Sequence, residues 1–215
     1  MSLPDPDRQK RVYPKHPGGS YQLALADVIY LGFRITEDGK TKERYPQERV
    51  ALVLQSMECE PGTANRFALA REFTFTASER GNLRQFLDPW LGPFTSDEHA
   101  KTVIKGLDGR VGENGLFSVV HAPAKDGSGK VFVNVATAGK LVRGMEPFRV
   151  ASYTRSDYWT KKIAQYATDH AAFLAEREAT KGREAANAAK FPGAGGGLDQ
   201  RPAALDAEEP DDLPF

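Results

Sequence analysis

The chain has 215 residues, with 29 Lys and Arg against 29 Asp and Glu, 40% apolar residues and a single cysteine. This length fits one domain with an appendage, and no run of about 18 apolar residues offers a membrane span. The lone Cys59 excludes an intramolecular disulfide and points to a reducing, cytoplasmic setting. The opening Met-Ser-Leu-Pro-Asp-Pro-Asp-Arg lacks the apolar centre of a secretory signal.

Residues 1–19 combine Arg8, Lys10, Arg11 and Lys15 with four prolines and a Gly pair, and read as a loose basic arm. From Ser20 the composition turns β-like. Tyr21, Leu23, Leu25, Val28, Ile29, Tyr30, Leu31, Phe33 and Ile35 predict a long first strand, with Gly32 marking a bulge or bend. A polar hairpin loop over residues 36–47 leads to a second strand over residues 49–57, and Pro61-Gly62 marks the next turn. The third strand alternates: Leu69, Arg71, Phe73 and Phe75 fall on one side, Ala70, Glu72, Thr74 and Thr76 on the other.

The period then changes. Leu83, Phe86 and Leu87 recur at helical spacing, Ser78 is the expected N-cap, and Pro89 and Gly92 are expected to end the helix near Trp90. A polar segment with a helical turn capped by Ser96 follows. Residues 115–121 and 130–136 read as two strands joined by the turn-rich Lys125-Asp-Gly-Ser-Gly129. Three strands, a helix and two strands is the element order of the oligonucleotide-binding (OB) fold, a five-stranded partly open Greek-key barrel. The expected fold is therefore mainly β, a five-stranded OB-fold barrel spanning residues 20–150. A split α+β sheet has the same element order, and the meander of the first three strands favours the barrel.

Beyond Val150, Ser156-Asp157 can cap a helix over residues 156–190. In it Trp159, Ile163, Tyr166, His170, Phe173 and Leu174 recur every three or four residues. This stripe is a docking surface, for the barrel or for a second subunit of a homo-oligomer, and the helix should fray where alanines replace larger residues. Its polar face is not basic enough for a membrane surface.

Residues 191–215 are Gly- and Pro-rich and poor in apolar groups, a composition that predicts a disordered tail. They hold six acids against Arg201, a charge of −5, which leaves residues 1–190 with 28 bases against 23 acids, or +5. A basic body on an acidic tail points to nucleic-acid work. The tail ends Glu208-Glu209-Pro210-Asp211-Asp212-Leu213-Pro214-Phe215: four carboxylates followed by one apolar anchor. This end resembles the acidic tip of bacterial and phage single-stranded DNA-binding proteins. The resemblance implies that Asp211, Asp212, Leu213, Pro214 and Phe215 recruit replication and recombination proteins in a bacterial host cytoplasm. A second, more diffuse resemblance spans residues 20–148. It rests on Tyr45-Pro-Gln-Glu-Arg-Val50, on the run Arg71-Glu-Phe-Thr-Phe-Thr-Ala-Ser-Glu-Arg-Gly-Asn-Leu-Arg84, and on Trp90-Leu-Gly92 and Gly144-Met145. These stretches are similar to a family of phage and prophage proteins described as replication-associated or single-strand-binding. The chain departs from that pattern at Leu54-Gln55-Ser56 and around Gly106-Leu-Asp-Gly109.

Enzyme chemistry has little support. His16, His99, His121 and His170 are scattered, without metal-ligand spacing, and no paired acid and base stands out, so neither a metal nor a cofactor is expected. Gly127-Ser-Gly-Lys130 lacks the first Gly and the final Ser or Thr of a phosphate loop and reads as a hairpin turn. Aromatics and cations among the strands remain, and single strands need both, for base stacking and for phosphate tracking. The expected DNA-binding set is Phe33, Arg34, Lys40, Lys42, Arg44, Tyr45, Arg49 and Arg71, with Phe73 and Phe75 assigned to the core. The expected function is non-sequence-specific single-stranded DNA binding in phage replication or recombination. An adaptor of a replication complex that does not itself bind DNA is the alternative.

Overall fold

The computed structural model describes residues 14–124 and 129–190, with side chains through Arg183. Most of the expected N-terminal arm, the centre of the 125–129 turn, and the tail with its tip lie outside the described residues. The elements are β1 (Gly19–Glu37), β2 (Arg44–Cys59), β3 (Arg66–Thr74), α1 (Asn82–Leu91), α2 (Asp97–Lys105), β4 (Asn114–Pro123), β5 (Val131–Lys140) and α3 (Asp157–Lys190). A 3₁₀ turn, Leu107–Arg110, links α2 to β4. The chain divides into two compact units, residues 1–173 and residues 174–215.

The strands form one antiparallel sheet in the order β3-β2-β1-β4-β5. β1 joins its halves: Leu23 and Ala24 pair with Ser56 and Gln55 of β2 on one side and with Gly115 and Asn114 of β4 on the other. Two register shifts, at Leu25/Asp27 and Tyr30/Gly32, interrupt its alternation. Gly32 sits at the second shift with a φ of 80°, a conformation that glycine adopts without steric penalty, as its place in the apolar run predicts. Among the described residues no ladder joins β3 to β5, so the sheet is not closed by backbone pairing there.

Each face of the β1–β2 pair is buried against a different layer. Leu23, Leu25, Val28, Val50, Leu52 and Leu54 share the main core with Leu69, Phe73, Phe117, Val119 and Val135, under Leu83, Phe86, Leu87 and Trp90 of α1. On the other face Ile29, Leu31, Ala51 and Val53 form a second core with Trp159, flanked by Ile163 and Tyr166 of α3. Burial on both faces explains the unbroken apolar run over residues 50–54, which a one-sided strand would not carry. The stripe of α3 therefore docks onto its own sheet through Trp159 and Phe173, both buried, whereas Leu174 is exposed.

Several boundaries differ from expectation. α1 starts at Asn82, with Gly81 and not Ser78 at its N-cap. The Gly81 N–H bonds to the Ser78 carbonyl (2.9 Å), so residues 78–81 form a turn, and the Thr76 side chain occupies the space a Cβ on Gly81 would need. The end of α1 falls where expected: Pro89 lies in the last turn, and Gly92 is the C-cap after Leu91. The segment from Ser96 is a full helix; the Ser96 hydroxyl accepts from the His99 N–H (3.1 Å). The β1–β2 connection narrows to six residues because both strands run past the expected loop edges. α3 spans Asp157–Lys190.

Residues 141–156 form neither helix nor strand, and side chains hold them down. Buried Asn114 uses its whole amide: Nδ2 donates to the Gly112 and Phe148 carbonyls, and Oδ1 accepts from Phe148 N–H and Gln22 Nε2. Gln55 Oε1 accepts from Ala151 N–H (2.6 Å), and Arg155 makes a two-pronged bond to Asp27 (2.9 and 2.9 Å). This pinned strap delivers the chain to the start of α3.

Trp159→Ala should therefore lower unfolding free energy by about 3–5 kcal/mol, measured by urea denaturation. Leu174→Ala, at an exposed position, should stay within about 0.5 kcal/mol of the parent.

Candidate nucleic-acid interface

The expected site residues fall into four structural settings. The first is the β1–β2 turn. Asp38 Oδ1 accepts from Lys40 N–H (2.8 Å) and Thr41 N–H (2.7 Å), and the turn closes through Asp38 N–H to the Glu43 carbonyl (2.8 Å). The backbone bonds from Thr41 and Lys40 hold the Asp38 carboxyl below its usual range. Lys42 turns the corner with a φ of 62°, and its ammonium lies 3.4 Å from Glu37. Lys40 and Lys42 are presented at the exposed tip. The hairpin is less basic than its cations imply, because Glu37, Asp38, Glu43 and Glu48 intersperse with Arg34, Lys40, Lys42, Arg44 and Arg49.

The second setting is contact with α3. The Phe33 ring lies against His170 (centroids 4.6 Å apart), and the Arg44 guanidinium lies over Phe173 at 5.7 Å. A cleft of about 390 Å³ separates the hairpin from the helix, lined by Ile35, Thr36, Glu37, Arg44, Asp169 and Ala172. The third setting is solvent: Arg34 is exposed, and Tyr45 retains 41% of its surface.

The fourth setting is internal tethering. Arg49 reaches Thr74 Oγ1 (3.1 Å) and Gln47 Oε1 (3.4 Å). Arg71 spans the unpaired edges of the sheet: its Nη1 donates from β3 to the Val135 and Ala136 carbonyls of β5, each at 2.6 Å. Its guanidinium also lies 4.9 Å from Phe73 and 5.0 Å from Phe86, and burial pushes its pKa below the ordinary arginine value. Arg71 thus acts as a side-chain clasp where a β3–β5 ladder is absent. Of the two aromatics assigned to the core, Phe73 is buried, and Phe75 is partly buried against Tyr30 (5.4 Å).

Beside this clasp lies a cleft that the sequence pattern does not announce. Its volume is about 660 Å³, and Ala70, Arg71 and Glu72 of β3, Val120 of β4, Asn134, Val135 and Ala136 of β5, and Tyr158 and Trp159 of α3 line it. Tyr158 is 56% exposed and Phe132, two residues before Asn134, is 54% exposed. One signal points to it: Tyr158 sits just off the helical stripe, where a large aromatic has no core to enter.

Among the described residues no cluster of His, Cys, Asp and Glu is arranged to hold a metal ion, and no helix is long and apolar enough to cross a membrane. No family model, curated protein or solved structure matches the chain.

The clasp has a measurable consequence. Arg71→Met should remove both carbonyl bonds and lower stability by about 1–3 kcal/mol. Amide exchange should accelerate first in β5 around residues 133–137; uniform acceleration across the sheet would instead mark Arg71 as an ordinary core residue.

Proposed function

We propose that the chain is a non-sequence-specific single-stranded DNA-binding protein of phage type. In this reading the sheet is an oligonucleotide-binding barrel with an open seam, and the acidic tail recruits replication or recombination proteins. The observation that carries the reading is the strand arrangement. A five-stranded antiparallel sheet with β1 central and β3 and β5 meeting across Arg71, with helices between β3 and β4, is the order such a barrel requires. Exposed aromatics and cations add support. Phe33 and Tyr45 keep 39% and 41% of their surface beside Arg34, Lys40, Lys42 and Arg44, the pairing of flat rings and positive charge that single strands need.

In mechanism, Lys and Arg groups would neutralise phosphates and release counterions, and the rings would stack on bases without reading their identity. The duplex is disfavoured because its bases are already stacked and paired. Tail and body play separate parts: the −5 charge of residues 191–215 competes weakly with phosphate for the basic body, and Phe215 offers partners an apolar anchor.

Fluorescence titration of labelled oligonucleotides tests the reading. Single strands should bind more tightly than duplex, with log affinity falling linearly in log salt. Replacing Lys40, Lys42 and Arg44 with Ala should reduce that slope by up to about 2, at ~0.7 for each phosphate no longer neutralised. Equal affinity for duplex, or no salt dependence, would leave the adaptor reading in its place.

Removing residues 213–215, which carry no charged side chain, should leave single-strand affinity unchanged, whereas removing residues 206–215 with their five acids should raise it, a rise that vanishes in high salt. Partner capture by either variant should fail. If deletion abolishes DNA binding, the division between body and tip is wrong.

A further inference from the structure

We propose that the β3–β5 seam is a base-stacking subsite in which Tyr158 of α3 and Phe132 of β5 hold nucleobases of a single strand. This rests on the single-strand-binding reading and assigns it a location away from the β1–β2 hairpin.

Three observations meet there. The cleft of about 660 Å³ is the size of sites that hold small organic ligands, about 300–1,000 Å³. Apolar surface that the fold has left uncovered gathers there: Tyr158 and Val120, which line the cleft, are 56% and 40% exposed, and Phe132, two residues along β5 from the lining Asn134, is 54% exposed. The pairings of β4 with β5, Val120 with Asn134 and Ala122 with Phe132, together with the alternation of strand side chains, put Val120, Asn134 and Phe132 on one face. Isolated exposed apolar residues need no explanation, but a group of them around a cleft does.

The chemistry of the walls selects the occupant. Of the charged groups at the cleft, Arg71 is held by the β5 carbonyls and Lys162 pairs with Glu72, so exposed ring surface and not net charge sets the occupant's chemistry: a flat π-face such as a nucleobase. Lys162 donates to the Tyr158 hydroxyl (3.0 Å) and pairs with Glu72, and the Trp159 ring lies edge-on at 4.9 Å; these contacts fix the Tyr158 ring before any ligand arrives. A pre-set ring loses little rotamer freedom on stacking.

The test is affinity for an oligothymidylate, with Tyr158→Ala, Tyr158→Leu and Phe132→Ala in the full chain. Each Ala variant should weaken binding about 5- to 150-fold, as expected for unstacking one base. The salt slope should not change, because neither ring carries a charge that could neutralise a phosphate, and each variant should remain folded by circular dichroism, because both rings are more than half exposed. Tyr158→Leu should fail to rescue, since it restores apolar area without a π-face. Photocrosslinking with a 5-iodouracil oligonucleotide should label Tyr158 or Phe132. If the parent binds single strands, parental affinity in all three variants, or crosslinks confined to Phe33 and Tyr45, overturns the subsite alone. If the parent does not bind, the functional reading fails and the subsite with it.

Discussion

Burial of the β1–β2 pair on both faces is the constraint on which the rest of the architecture depends. Val50, Leu52 and Leu54 enter one core while Ala51 and Val53 enter the other. At about 25 cal/mol per Å² of apolar surface, leaving the second face open to water would forfeit several kcal/mol, a large part of the margin that keeps a domain folded. The sheet therefore needs a layer outside the main core, and α3 supplies it. That need dictates the preceding segment. Residues 141–156 must cross from the end of β5 to the start of the helix without regular structure, so buried Asn114 and Gln55 satisfy their backbone groups one by one.

The same logic explains the clasp. β3 and β5 are edge strands with unpaired donors and acceptors facing one another, an arrangement open to unwanted strand pairing. Arg71 answers part of this by capping two β5 carbonyls while its planar group covers Phe73 and Phe86. A lysine could not do both, because it lacks the flat face and the fixed fork. A residue whose type and strand position suggest a phosphate contact is placed instead where it holds the two edges of the sheet together.

What is legible from sequence is whatever depends on local chemistry. Gly32 inside an apolar run marks a break in β1, and Ser96 before two acids marks a helix start. The spacing of Trp159, Ile163, Tyr166 and Phe173 marks a buried stripe, although not what covers it. The misses depend on groups distant in sequence or on packing between turns. Ser78 has the chemistry of an N-cap, but its carbonyl accepts from Gly81 N–H in a turn, and the helix starts only at Asn82. Element order specifies the succession of strands but not closure, because closure turns on whether β3 and β5 pair. Phe33 and Arg44 have the pattern of surface groups; their contacts with His170 and Phe173 arise only once α3 has folded back on the sheet.

Covering one face of a sheet moves any ligand surface elsewhere. α3 occupies the side of β1 and β2 defined by Ile29, Leu31, Ala51 and Val53, so that side is closed to a nucleic-acid strand. Among the described residues, exposed aromatic surface is greatest at two places, the seam with Phe132 and Tyr158, and the hairpin with Tyr45 and Phe33. The two differ in character. Hairpin charges are mixed, with Glu37, Asp38, Glu43 and Glu48 among five bases, so they favour screening and orientation over strong attraction. The seam has fewer charges but a ring already fixed by Lys162 and Trp159. Because that ring belongs to α3, the helix that completes the second core also shapes the seam, and any change that loosens Trp159 from the sheet disturbs both.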